Sequence, residues 1–346
     1  MGFRFFRRIK ISPGVTLNFS KSSVSTSFGV RGAKVTLGDR GLRKTVGIPG
    51  TGLFYTEVSS SKRGRDRSGR QSGPSLPPPE PRQKLDLGFF ERLLTPKPER
   101  AFVDGCKAYV AGKKKKAAEE LCGATHLADG AFLAGFLAIN DKRLDEAERH
   151  LKQAAAKHQT LGQHFDKYGL EVELALPITE FVTAHIRPCR RGVLLGLAEV
   201  YQAQDQVKNA LDCLNKLRRD TTDDMVVNLS LAELVHEVAP TNKRLAKQIV
   251  ELAGDVKNES SVHAALMLYK AQALRTLNLH TAARDVLTAA LRKKKDRDEE
   301  LLRALRYERG CVYENLGQNT RARGEFEKLY AEKPSYEDVI KRLGLG

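Results

Sequence analysis

No stretch of the 346-residue chain approaches the roughly 18–20 uncharged apolar residues that a membrane-spanning helix needs. The opening MGFRFFRRIK interrupts its apolar residues with arginines before a signal-peptide core can form, so neither export nor membrane insertion is expected. Cysteine is sparse. Cys106, Cys122, Cys189, Cys213 and Cys311 are odd in number and contain no CxxC pair, which argues against a disulfide framework and a structural zinc site. A reducing cytoplasm is the expected compartment. The eight histidines form no HExxH and no His/Cys set at metal-ligand spacing, and no nucleophile, base and orienting group can be assembled. No cofactor, metal or catalytic residue is implied, and the chain reads as a non-enzyme.

What is present is positive charge, unevenly spread. The net charge is +17, yet residues 1–60 hold 10 basic and 2 acidic residues, 61–98 hold 9 and 4, and 99–346 hold 40 and 36. Most of the excess therefore lies in the first 98 residues, ahead of a nearly balanced remainder.

Laid out in nines from Ile11, the N-terminal segment reads ISPGVTLNF, SKSSVSTSF, GVRGAKVTL, GDRGLRKTV, GIPGTGLFY, with glycine or serine at the fourth place of every copy. The fifth, seventh and ninth places are apolar except at Thr26, Lys44 and Thr51, and those between are polar or glycine except at Phe54. Such alternation predicts strands of about five residues with one buried face, joined by turns in which glycine permits positive φ. The turns are too short for parallel crossovers, so the expected module over 1–57 is all-β and antiparallel. GIPGTG lacks the GxxxxGK[ST] of a phosphate loop. The single Asp39 cannot supply the ligands of a calcium roll.

The MGFRFFRRIKISPGVTLNFSKSSVS start, the GVRGAKVTLGDRG centre and the VGIPGTGLFY end resemble a bacterial family of short N-terminal domains of unknown function. The resemblance spans about residues 1–57 and brings no activity with it. A module this small is near the lower limit for a single core, so stacking on a second copy or docking on the rest of the chain is expected. Arg4, Arg7, Arg8, Lys10, Arg31, Lys34, Arg40, Arg43 and Lys44 have two readings. They form a basic face for nucleic acid or anionic membrane, or they protect strand edges from pairing with strangers.

Residues 58–98 turn to serine, glycine, arginine and then proline, a composition that reads as a flexible basic linker with a stiffer stretch from Pro77 to Pro81. LGFFERLL, from Leu87 to Leu94, predicts a short helix capping the helical part of the chain.

From Glu99 the apolar residues take helical spacing. Ala117, Ala147, Ala210, Ala246, Ala283 and Ala322 recur at intervals of 30, 63, 36, 37 and 39, each followed four residues later by a larger apolar residue: Leu121, Leu151, Leu214, Val250, Leu287 or Phe326. Twelve residues earlier most units carry another small residue, as at Gly105, Gly135, Ala198, Ala271 and Gly310. Gly310, Tyr313, Ala322, Phe326 and Pro334 follow the G-x-x-Y, A-x-x-x-F and closing-proline pattern of the tetratricopeptide repeat, and 99–346 resembles that family over nearly its whole length. The long interval places an insertion at about 157–190. There Leu170, Val172, Leu174 and Leu176 alternate ahead of a proline, as in a β-hairpin, with an irregular helix pair as the other reading.

The resemblance to tetratricopeptide proteins implies a ligand groove along the first helix of each hairpin. Projecting those helices puts Phe102, Cys106, Tyr109, Phe132, Phe136, Ile139, Leu195, Glu199, Gln202, Leu268, Gln272, Arg275, Tyr307 and Glu314 on the inner face. The groove is then aromatic at its N-terminal end and polar toward the other, or half of the set is inter-repeat core. The lysine and asparagine clamp of chaperone-binding tetratricopeptide domains is not matched at these positions. The expectation is an α+β multidomain chain: a small all-β module of nine-residue repeats, a linker, and an α-solenoid holding an unidentified protein or peptide. The rival is recruitment of nucleic acid or anionic membrane by the basic N-terminal 98 residues.

Overall fold

The computed structural model describes backbone at 6–12, 15–20, 24–30, 33–38, 41–47 and 54–59, and residues 89–295 and 297–345; side chains are described from 92 onward except at 110 and 171. The N-terminal backbone forms β1 (Phe6–Ser12), β2 (Val15–Ser20), β3 (Val24–Val30), β4 (Ala33–Gly38), β5 (Gly41–Gly47) and β6 (Phe54–Ser59). Each pairs antiparallel with the next. The side chains of Arg7, Arg8, Lys10, Lys34, Arg43 and Lys44, all of Arg4, Arg31 and Arg40, and linker residues 60–88 lie outside the described residues. The basic-face and linker expectations lie there with them.

The remainder is mostly helical. Its first compact unit runs to Leu176 and resumes at His185–Val200. It holds α1 (Phe89–Leu94), α2 (Lys97–Val110), α3 (Lys114–Cys122), α4 (Ala128–Asn140) and α5 (Leu144–Ala156). Short α1 is tied down by charge, because Arg92 makes a two-pronged pair with Asp104 at 2.6 and 3.2 Å while Leu93 and Leu94 stay exposed. The second unit comprises Pro177–Ala184 and Tyr201–Gly346. It contains α8 (Val207–Asp220), α9 (Met225–Val238), α10 (Lys243–Ala253), α11 (Ser261–Thr276), α12 (His280–Leu291), α13 (Glu299–Asn315), α14 (Asn319–Glu332) and α15 (Val339–Leu343).

The small residues let helices approach closely. Ala117, Ala147, Ala210, Ala246, Ala283 and Ala322 are all buried on the second helices. A Cβ on Gly105 would stand 2.6 Å from Leu121 Cγ, and one on Gly310 would stand 2.6 Å from Phe326 Cε1, so the first helix lies directly against the large residue of the second. Side chains cap the starts of several helices in the second unit, α9, α10 and α13 among them. Asp224, Asn242 and Asp298 accept from backbone N–H groups two residues on, at 3.1, 2.9 and 2.8 Å.

The turns share one device that periodicity does not reveal. Gly112, Lys142, Asp205, Asn278 and Gly317 all have φ between 59 and 75°. In each case the following residue donates its N–H to a carbonyl five residues back: Lys113 to Ala108, Arg143 to Ala138, Gln206 to Tyr201, Leu279 to Leu274, Gln318 to Tyr313. This left-handed closure satisfies carbonyls at the end of the first helix and reverses the chain within three residues.

After the turn at His158–Thr160 and the short α6 (Gln163–Lys167) come β7 (Glu171–Pro177) and β8 (Thr183–Ile186), followed by α7 (Arg190–Ala203). Leu170, Val172, Leu174 and Leu176 are buried, as the alternation predicts.

Candidate functional site

The aromatic end of the projected groove is core. Phe102, Phe132 and Leu195 are fully buried, Phe136 is 1 % exposed, and Ile139, Cys106 and Tyr109 are buried as well. Every residue from Ala128 to Ile139 in α4 is buried, so this helix is covered on all sides and presents no inner face. Phe132 and Phe136 pack on each other with centroids 4.8 Å apart, and a Cβ on Gly196 would lie 2.6 Å from Phe136 Cζ. Phe102 meets Phe165 edge-on at 5.2 Å, so the insertion itself covers it. The expectation of an aromatic pocket open to a partner is corrected accordingly: tertiary contacts fill the space it needed.

One charge inside this core organises the insertion. Asp129, the sole ionisable residue of α4, is fully buried. Its carboxylate accepts from the backbone N–H groups of Gly162 at 2.6 Å, His164 at 2.8 Å and Phe165 at 3.3 Å. Burial pushes its pKa up, while the three N–H groups and His164 oppose that shift. Glu99 pins the next turn, accepting from Tyr168 Oη at 2.7 Å and from Lys167. These contacts are structural, and no reading of the sequence singled out Asp129. A lone carboxylate in an otherwise apolar helix was the available signal.

Glu199 on α7 is half-buried in the first unit. The polar members in the second unit stand on first helices or their approaches. Gln202 and Gln272 are half-buried, and Gln202 Nε2 and Gln272 Oε1 have no hydrogen-bond partner among the described residues. Leu268, one turn before Gln272 on α11, is buried. Arg275 pairs with Glu308 through Nε, with Nη2 to Oε2 at 3.3 Å. Burial works against the guanidinium charge, but Glu308 outweighs it and holds the Arg275 pKa above its ordinary value. Tyr307 Oη donates to Asp338 Oδ1 at 2.6 Å. Arg342 joins Asp338 at 2.7 Å, pairs with Glu314, and lies 5.4 Å above the Tyr307 ring. Tyr307 and Glu314 thus belong to a cluster that locks α15 onto α13.

Two acidic groups deepen this picture. Glu233 on α9 is 8 % exposed and accepts from Tyr269 Oη at 3.0 Å. Burial pushes its pKa up to about 8, against the lowering effect of that hydrogen bond, with Glu237 and Glu180 adding to the rise. Glu180, exposed at the turn between β7 and β8, has its pKa raised by burial of its carboxyl and then by Glu337, Glu300, Glu237 and Asp298. The turn is anchored by buried Ile178 and Val182 and by Thr179 Oγ1, which accepts from Phe181 and Val182 N–H at 3.1 Å. Carboxylates thus gather around the hairpin tip and the first helices of the second unit. Among the described residues no group of three or more His, Cys, Asp or Glu side chains is placed to hold a metal, and no helix is long and apolar enough to cross a membrane.

Residues 3–56 match the model of a family described as a protein of unknown function, DUF4236. No curated protein matches the chain. Among solved structures, a thermophilic TPR protein of Thermus thermophilus is 15 % identical, with a TM-score of 0.39 over 63 % of this chain and 97 % of its own. A tetratricopeptide repeat protein of Parabacteroides merdae is 14 % identical, with a TM-score of 0.36 over 72 % and 98 %. An assembly chaperone of RpL4, residues 1–338, is 13 % identical, with a TM-score of 0.43 over 72 % and 95 %.

Proposed function

We propose that the chain is a non-catalytic interaction scaffold whose second helical unit holds an extended segment of a protein partner against α9, α11 and α13. One observation carries the reading: Gln272 Oε1 and Gln202 Nε2 are removed from water yet unpaired, one acceptor and one donor. Buried polar groups left unmatched cost about 1–3 kcal/mol each, a cost that a partner's main-chain amides would offset. The carboxyl groups of Glu180 and Glu237, gathered at the hairpin tip and α9, favour a segment that brings positive charge or hydrogen-bond donors. No covalent chemistry is proposed, because no activated nucleophile or acid–base pair accompanies these groups.

The test is photo-crosslinking in native cells from a benzophenone side chain at position 272, beside the same label at exposed Lys247 on the second helix α10. A discrete adduct at 272 that is absent at 247, and lost on Gln202→Ala, supports the scaffold. Equal labelling at both positions removes the first-helix face as the site. In the rival reading, recruitment of nucleic acid or anionic membrane by the N-terminal 98 residues, retention falls steeply with added salt and is unaffected by substitutions in α11.

A further inference from the structure

A second feature of the same unit lies apart from the inner face. At α12, α13 and α14 a cleft of about 300 Å³ is lined by Arg292, Lys294, Arg306, Arg309 and Lys328, with Glu325 as the one carboxylate. The two arginines of α13 form its built part. Their side chains are only 14 and 18 % exposed, and they share Glu325: Arg309 Nη2 lies 2.9 Å from Oε1 and Arg306 Nε 3.7 Å from Oε2. Arg306 also reaches Glu332. Arg309 Nε is buried with no acceptor, an unusual state for a charged donor. The remaining cations, Arg292, Lys294 and Lys328, have no carboxylate partner among the described residues. The carbonyl end of α12 accounts for about half a charge there. Five cations against Glu325 in the lining, with Glu332 reached by Arg306 from outside it, leave a positive cleft of a size that suits a small ligand.

We propose that this cleft binds a multiply charged phosphate group, of the size and charge of a diphosphate. Arginine presents several N–H donors in a fixed fork that matches phosphate oxygens, and lysine supplies mobile point charge around it. Arg309 Nε then gains its missing acceptor, while Lys294, in the loop after α12, and Lys328 on α14 close over the anion. Arg292 and Lys294, in the segment just after α12, then form one wall of the site.

The test titrates the full chain with inorganic pyrophosphate in a calorimeter at fixed chloride ionic strength. One saturable site is expected, weakened at least tenfold in the Lys294→Gln/Lys328→Gln double variant, whose melting temperature stays unchanged because neither side chain holds a carboxylate partner among the described residues. Gln272→Ala, aimed at the inner face, should leave pyrophosphate binding intact, so this proposal and the scaffold reading fail separately. Co-sedimentation with phosphatidylcholine vesicles containing phosphatidic acid distinguishes sources: double-variant-sensitive sedimentation marks a lipid headgroup, and its absence alongside saturable pyrophosphate marks a free phosphate ligand. The proposal is overturned if neither probe gives binding sensitive to the double variant. It is also overturned if a hexaglutamate peptide binds as well as pyrophosphate, which would assign the cleft to an acidic protein segment.

Discussion

Glu233 shows how one residue records its surroundings. Unfolded, its carboxyl returns toward 4.5, whereas burial holds the folded value at about 8. Between those limits the folded chain keeps a proton that the unfolded chain releases, so its contribution to stability is greatest below about 4.5 and is lost as pH rises toward 8. Glu233→Gln keeps an oxygen that accepts from Tyr269 and abolishes the titration. Thermal melts from pH 5 to 8 should therefore show a flatter decline for the variant, with a gain of roughly 1–3 kcal/mol at pH 8. Parallel curves would place the Glu233 carboxyl in water. Asp129 is the contrasting case: its buried charge is met by three backbone N–H groups, so it holds the insertion in place. Neither environment follows from residue type, because each depends on groups more than 30 positions away.

At the scale of the element, spacing conveys a great deal and omits one thing. The alanines at the start of the second helices, and Gly105, Gly135 and Gly310 on the first, announce hairpins because only small side chains permit that approach. The broken interval announces the insertion, and alternation announces its strands. Spacing does not say whether the far side of a first helix faces solvent. Helix α4 is apolar around its circumference, with Asp129 and Asn140 its only polar side chains, which is the pattern of a helix covered on all sides. Phe136→Gln tests this directly. A glutamine against Gly196 and Phe132 leaves a cavity and an unmet amide, so stability should fall by about 3–5 kcal/mol, read from thermal melts by circular dichroism. A variant melting with the wild type would return Phe136 to a partner-facing position. The hairpin turns were hidden for a simpler reason: Lys142, Asp205 and Asn278 adopt a left-handed conformation that glycine usually marks.

For the whole molecule, charge and composition divide the chain at its linker. The arginines from Arg63 to Arg70 stand among serines and glycines, whereas the helical hairpins have continuous cores. Limited trypsin digestion should cut between Arg63 and Arg70 first and leave a helical fragment beginning near residues 85–100, identified by mass. Protection of that stretch while the helical part is cut would place the boundary elsewhere.

The sequence alone determined the hairpin register, the site of the insertion and the separation of a basic N-terminal segment from a charge-balanced helical part. Those properties are periodic or compositional, and each is written in residues close together along the chain. Tertiary structure decided which first-helix faces are open, that Asp129 anchors the insertion, and that Arg292, Lys294, Arg309 and Lys328 line one cleft. Burial, unmet hydrogen bonds and converging charge are properties of neighbours in space, and those neighbours come from helices whose contacts no single helical period encodes.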